Sequence, residues 1–408
     1  MDYFITKYDA GQVPDSECAV LEDTIMHKGH PVTAGSRMLE EFVSPFDATV
    51  VTRLEAADVA ILGKSRMDEF GAAGLFLDWS QAVDGAVSAV SDGAALFALC
   101  NDYTGAIRRQ AVARGVCYIH PTYGTVSRYG LIPAVPSMDQ IGVICKNPTE
   151  GFRVLSIMAG HDPKDGAMFP DEYSAEPGEK REEKSWYAQS TARNEAEASA
   201  KSGELREQLS RASVNESAED VKLRIGVPVN VLSGVEDVSA VEGFVKSFET
   251  KAFTLKYFDM FSLVMQVLCC AELSSSICRY DGVKFGFRAG DYKNLNELYT
   301  KSRTQAFSTE VKFAAIVGAM ALSHENYNRY YDKAMRIRRL ILESLRYDNY
   351  DAIVMPAPTT DSGIAYHALP QLCGLPAVTF PFNGGGVTLI AGARREKMLI
   401  KALKAVGL

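Results

Sequence analysis

The stretch that most constrains this chain runs from Leu96 to Asn147: LFALCNDYTGAIRRQAVARGVCYIHPTYGTVSRYGLIPAVPSMDQIGVICKN. It opens on an apolar run at 96–100, passes through the short loop NDYTG, and enters AIRRQ at Ala106. Two ordered motifs follow, HPTYGTVSRYGL at 120–131 and SMDQIGV at 137–143.

These motifs resemble the amidase-signature family, and within it the A subunits of the tRNA-dependent amidotransferases. There a buried strand leads into a Gly-Gly-Ser loop that opens a helix. The resemblance implies an α/β fold, a mixed central sheet covered by helices on both faces, as a single domain over 1–408. AELSSSICRYDG at 271–282 is the sharper marker of the A subunits, because general amidases lack its counterpart.

The family's chemistry is a serine relay. One serine attacks the amide, a bridging serine passes on its proton, and a neutral lysine receives it. Backbone N–H groups beside the nucleophile hold the developing oxyanion. Matching the motifs places the nucleophile at Ala106, where TGAIR stands for Gly-Gly-Ser-Ile-Arg. The lysine falls on Glu22, where LEDTI stands for Ile-Lys-Asp-Asn-Ile. Counting back without gaps from Asp102 places the bridging serine at Ala82. None of the triad is intact, and alanine offers no nucleophilic atom. The vestigial pocket is expected at Asp102, Tyr103, Thr104, Gly105, Arg108, Ser127 and Arg128. Thr104 replaces one glycine of the oxyanion hole. Phe313-Ala314 stands where the A subunits carry an arginine pair, which removes a clamp for the substrate carboxylate.

Other residues invite a rebuilt site. Glu22 beside Asp102 would make a carboxylate pair, but an ion pair between Glu22 and Arg108, Arg109 or Arg128 is the plainer expectation. Lys64, in GKSRMDEF at 63–70, is expected to be a structural residue of a strand end. Phe76, Leu77 and Trp79 lie on a shortened loop and are expected to fill the vacated space.

Composition narrows the class. Apolar residues make up 47% and charged residues 23%, as in soluble globular proteins. A net charge of -8 argues against a broad nucleic-acid surface and leaves room for a local one. The eight cysteines are scattered without a CxxC pair, which fits buried reduced thiols and a cytoplasmic location. The histidines show no HxxxH or HExxH spacing, so neither metal nor cofactor is expected. MDYFITKYDAG does not read as a signal peptide. With no apolar run of ~18 residues, no membrane span is expected.

Residues 170–222 are rich in Glu, Ser, Ala and Lys and are expected to form a charged, peripheral insertion. Small-residue helix is expected over 82–100, and helix over 238–250. Three functional readings follow. The chain is an A-subunit-like protein that has lost amide hydrolysis and works through binding, with B- or C-like subunits or a second copy as partner. Otherwise it is a divergent amidase with a rebuilt site, or a small-molecule binder using the vacated pocket.

Overall fold

The computed structural model describes residues 3–8, 18–76, 85–169, 223–359 and 363–408. Eleven strands form one mixed sheet in the order β1-β3-β2-β4-β6-β5-β10-β11-β9-β7-β8. In chain order they are β1 (Phe4–Lys7), β2 (Cys18–Glu22), β3 (Ala60–Ser65), β4 (Phe97–Asn101), β5 (Cys117–His120) and β6 (Ile141–Cys145). The rest are β7 (Arg224–Pro228), β8 (Glu249–Phe253), β9 (Ala352–Pro356), β10 (Ala377–Phe382) and β11 (Gly385–Ala391). β2 runs parallel to β3 and β4, and β7 parallel to β8 and β9. The pairs between β4 and β11 through β6, β5 and β10 are antiparallel.

Strands buried on both faces read as continuous apolar runs. β4 (FALCN) and β9 (AIVMP) are buried along their whole length. Successive side chains on β4 serve opposite layers. Phe97 and Leu99 pack with Ile119, Val143 and the helices Thr49–Glu55 and Pro148–Met158. Ala98 and Cys100 pack with Ala86, Val90 and Ala111 beneath the helices Gly85–Ser91 and Ala106–Ala113. Further along that same side lies a thick helical layer, Phe261–Ser276 against Thr309–Leu322 and Lys333–Ser344. Caps fix where such helices start: Ser308 accepts from Val311 N at 3.3 Å and Asn147 from Thr149 N at 2.8 Å.

Two expectations need correction, and one apolar helix needs a separate account. The small-residue helix is confined to Gly85–Ser91, and 97–100 belongs to β4, whose Phe-Ala-Leu-Cys alternates between two apolar layers. Helix in the 238–250 segment ends at Val245, and Glu249 already begins β8. Finally, Phe258–Arg279 is a 22-residue helical span with mean hydropathy 1.6, long and apolar enough by length and composition to cross a membrane. Its burial explains it: Phe261, Val264, Met265, Leu268 and Cys269 are at the centre of the helical layer. The insertion 170–222, together with Leu77, Trp79 and Ala82, lies outside the described residues.

Candidate active site

The sheet brings two distant parts of the chain to one small cavity. β2 ends at Glu22, and β4 beside it ends at Asn101, so the loop 102–105 rises next to Glu22. Glu22, Ser65, Asn101, Asp102, Thr104 and Ala106 line a cavity of only about 20 Å³. That is about the space of a single water.

Gly105 makes the turn from β4 into the helix Ala106–Ala113. Its φ of 83° lies in the left-handed region, where a side chain would be strained. The first N–H groups of that helix are taken. Asp102 accepts from Ile107 N at 3.1 Å and from Arg108 N at 3.2 Å, and Thr104 Oγ1 accepts from Ala106 N at 3.3 Å. The threonine therefore occupies a donor that a glycine would leave open.

Above Ala106 the chain itself closes the space. The turn Glu69–Leu75 crosses so near that a methyl group on Gly74 would overlap the Thr104 hydroxyl and approach Ala106 Cβ to 2.9 Å. Phe76 continues this turn and packs edge-on against Phe313, with ring centroids 5.2 Å apart. Phe313 is half exposed while Ala314 is fully buried in the helical layer, so neither presents a polar group.

Glu22 is buried and accepts from Thr24 Oγ1 at 2.6 Å and from Asn101 N at 2.9 Å. Arg108 is engaged elsewhere. It pairs with Asp102 at 3.0 Å, both side chains wholly buried, and its guanidinium lies over the Tyr118 ring. Asp102 therefore carries the charge that answers Arg108.

Not every expected residue reaches the cavity. Tyr103 turns away and donates to Phe70 O at 2.8 Å. Ser127 binds Asp162 at 2.6 Å, and Arg128 forms an ion pair with Asp165 at 2.9 Å while also donating to Tyr123 Oη and Pro136 O. They hold the loop 121–139 to 161–165 and do not line the cavity.

Lys64 sits opposite Leu21 in the register, whereas Ser65 sits opposite Glu22. Neighbours on a strand face opposite sides, so Ser65 lines the cavity and Lys64 points into the other layer. Its amine is fully buried and meets no hydrogen-bond acceptor among the described residues. Burial lowers its pKa from 10.5 to about 8, against the opposing pull of Asp23 and Glu22. A base depressed in the folded state makes stability rise with pH between those two values, because the unfolded chain still binds the proton there. Wild-type stability should therefore climb by up to about 3 kcal/mol from pH 8 to 10.5 relative to Lys64→Met. Urea unfolding of both proteins across that range measures it, and parallel curves would refute it.

Sequence reasoning missed the histidines behind the cavity. His120 and His367 are both buried, and burial first and the Arg108 cation second depress the pKa of each. Gln371 donates to Asp102 O at 2.8 Å. His120 was open to discovery, since it stands where the resembling motif has lysine. His367 had no comparable signal. Among the described residues no group of three or more His, Cys, Asp or Glu side chains is placed to hold a metal.

Comparison with known proteins agrees with this architecture. The amidase family profile matches residues 19–74 and 84–384. The glutamyl-tRNA(Gln) amidotransferase A subunit from Lachnoclostridium phytofermentans is 32% identical, over 91% of this chain and 77% of its own. Its counterpart of the same name from Bordetella avium is 34% identical, over 89% and 76%. The crystal structure of the Thermotoga maritima A subunit superposes with a TM-score of 0.67 at 23% identity, covering 99% of this chain and 87% of that one. Peptide amidase from Stenotrophomonas maltophilia superposes at 0.69 with 19% identity, covering 95% and 81%. The chain belongs to the amidase family and closely resembles the A subunit of glutamyl-tRNA(Gln) amidotransferase.

Proposed function

We propose that this protein is a member of the amidase family, similar to the amidotransferase A subunits, that no longer hydrolyses amides and acts through binding. The observation that carries the reading is the cavity at Ala106, reduced to about 20 Å³ and walled by Glu22, Thr104 and the turn through Gly74. A glutamine side chain needs several times that space. On this reading Ala106, Ala82 and Glu22 stand at the positions of nucleophile, bridging serine and lysine.

Loss of a whole relay removes the large part of the rate and leaves only what binding and backbone donors supply. Here those donors are taken by Asp102 and Thr104. The relatives are each named as one subunit of an amidotransferase. That supports a protein partner, either a B- or C-like subunit or a second copy. The free thiols of all eight cysteines support a cytoplasmic setting.

The purified protein is expected to release no ammonia from glutamine or asparagine above a heat-killed control. The variant Glu22→Lys, Ala82→Ser, Ala106→Ser should be equally silent. A serine hydroxyl at 106 would still face the Gly74 turn, and a misplacement of ~1 Å can cost ~100-fold. Ammonia release that follows the protein through chromatography would overturn the reading. Release by the triple variant alone would show that the pocket still admits substrate.

A further inference from the structure

A second cavity, which shares no lining residue with the one at Ala106, lies at the β8 end of the sheet. It is a groove of about 350 Å³ between β8 with its following loop and the end of the helix Lys333–Ser344. That volume is at the lower end of the range for small-molecule sites. The walls are of two kinds.

Three cations converge from three elements: Lys251 on β8, Lys256 in the loop, and Arg346 beyond the helix. The acid on the rim, Glu343, is drawn off by Arg339 at 2.6 Å. Lys251 donates to the neutral Asn349 at 3.0 Å. These three cations form no ion pair among the described residues, although the chain carries a net charge of -8. An edge-strand lysine commonly serves to deter pairing, which would account for Lys251. It accounts for neither Lys256 nor Arg346, which lie off the strand.

The second wall is aromatic. Phe253 and Tyr350 stack with centroids 5.1 Å apart at 25° and form a rigid floor. Tyr257 stands at the mouth with its ring partly exposed and its backbone at φ 63°. A tyrosine held in the left-handed region is strained, and such strain gathers at functional sites.

We propose that this groove binds a nucleotide, its base stacked on Tyr257 and its phosphate held by Lys251, Lys256 and Arg346. Inorganic phosphate alone would leave most of the volume and the aromatic wall unused. An uncharged ring would leave the cations unanswered. Stacking on an aromatic side chain and cationic neutralisation of phosphate are the two contacts that nucleotides reward without sequence preference. The same chemistry fits a free mononucleotide or the phosphorylated end of an oligonucleotide. The proposal does not depend on the state of the Ala106 cavity, since none of the groove residues touches it.

The test is calorimetric titration of the full chain with AMP, adenosine, inorganic phosphate and a 5′-phosphorylated adenosine trinucleotide. AMP should bind one to one and saturably. Adenosine and phosphate should each bind at least ~10-fold more weakly, and AMP affinity should fall with salt. Lys256→Ala/Arg346→Ala should weaken AMP at least ~10-fold and flatten the salt dependence. Tyr257→Asn keeps a residue that tolerates the left-handed turn and should weaken AMP while leaving phosphate unchanged. A trinucleotide at least ~10-fold tighter than AMP would identify the ligand as an oligonucleotide end. Failure of AMP and trinucleotide to saturate at millimolar concentration would overturn the proposal. So would equal binding by the charge-removed variant when its thermal unfolding matches wild type.

Discussion

Between pH 6.5 and pH 4.5 the protein is expected to lose about 2–3 kcal/mol of stability to His367, with His120 adding to the loss in the same direction. His367 is fully buried, and burial together with Arg108 and Arg109 lowers its pKa from 6.5 to about 3. His120 is equally enclosed, and burial and Arg108 push it well below 6.5. The unfolded chain takes up both protons near 6.5, whereas the folded chain refuses them. In that window the unfolded state binds more protons, so stability is present above 6.5 and is lost as pH falls. Each group contributes up to ~1.4 kcal/mol per pH unit.

Other groups adjust the slope without reversing it. Burial also lowers His27 and His30, which act in the same direction and are common to wild type and variant. Burial raises Asp139, Asp23 and Glu69, which favours the folded state slightly as acid protonates them. Hydrogen bonds hold Asp162 and Asp165 below their usual range, and these add to the loss only at lower pH. His120→Gln/His367→Gln keeps size and polarity without a titrating ring. Urea midpoints at the two pH values should separate far less for that variant than for wild type. Equal separation would show that the two histidines are not the source.

How much of this was legible from the sequence depends on what each residue does. The strand-loop-helix around Gly105 and the motifs at 120–131 and 137–143 were legible because they answer local demands. A turn needs a left-handed residue there, and Asp139 must accept from Ala134 N, Val135 N and Asn101 to hold its loop. That Ala106 itself can attack nothing was visible at once, since its side chain carries no nucleophilic atom.

The closure of the cavity was not legible. It depends on Gly74 meeting Thr104 and Ala106, an approach across some 30 residues of chain that no periodicity encodes. The roles of Ser127 and Arg128 were misplaced for a related reason. Their motif marks a loop shape, and the partners that explain it, Asp162 and Asp165, lie in a separate segment. The strand boundary at 97 moved because burial on two faces outweighs local helix propensity, and that at 249 because Glu249–Phe253 pairs in parallel with Arg224–Pro228.

Arg108→Met is expected to destabilise the fold by about 3–5 kcal/mol, the usual cost of breaking a buried ion pair from one side. Asp102 would keep its bonds from Ile107 N and the backbone N of residue 108 but lose the charge that answers it. The bond from Arg108 Nη1 to His367 O at 3.4 Å and the contact with Tyr118 would go as well. Asp102→Asn alone leaves the guanidinium buried without a counter-ion and should cost a similar amount. The double variant leaves neither charge in a low dielectric, and the amide oxygen introduced at position 102 can still accept from the helix N-terminus. Its cost should fall short of the summed single costs by about 1–3 kcal/mol. Chemical unfolding of the four proteins at one pH above 7 closes the cycle, with both histidines neutral throughout. Strict additivity would mean that the pair is a coincidence of packing. Coupling of the expected size would mean that the ion pair fixes the loop 102–105 and, through it, the wall of the closed cavity, so that the scaffold is held by interactions that owe nothing to catalysis.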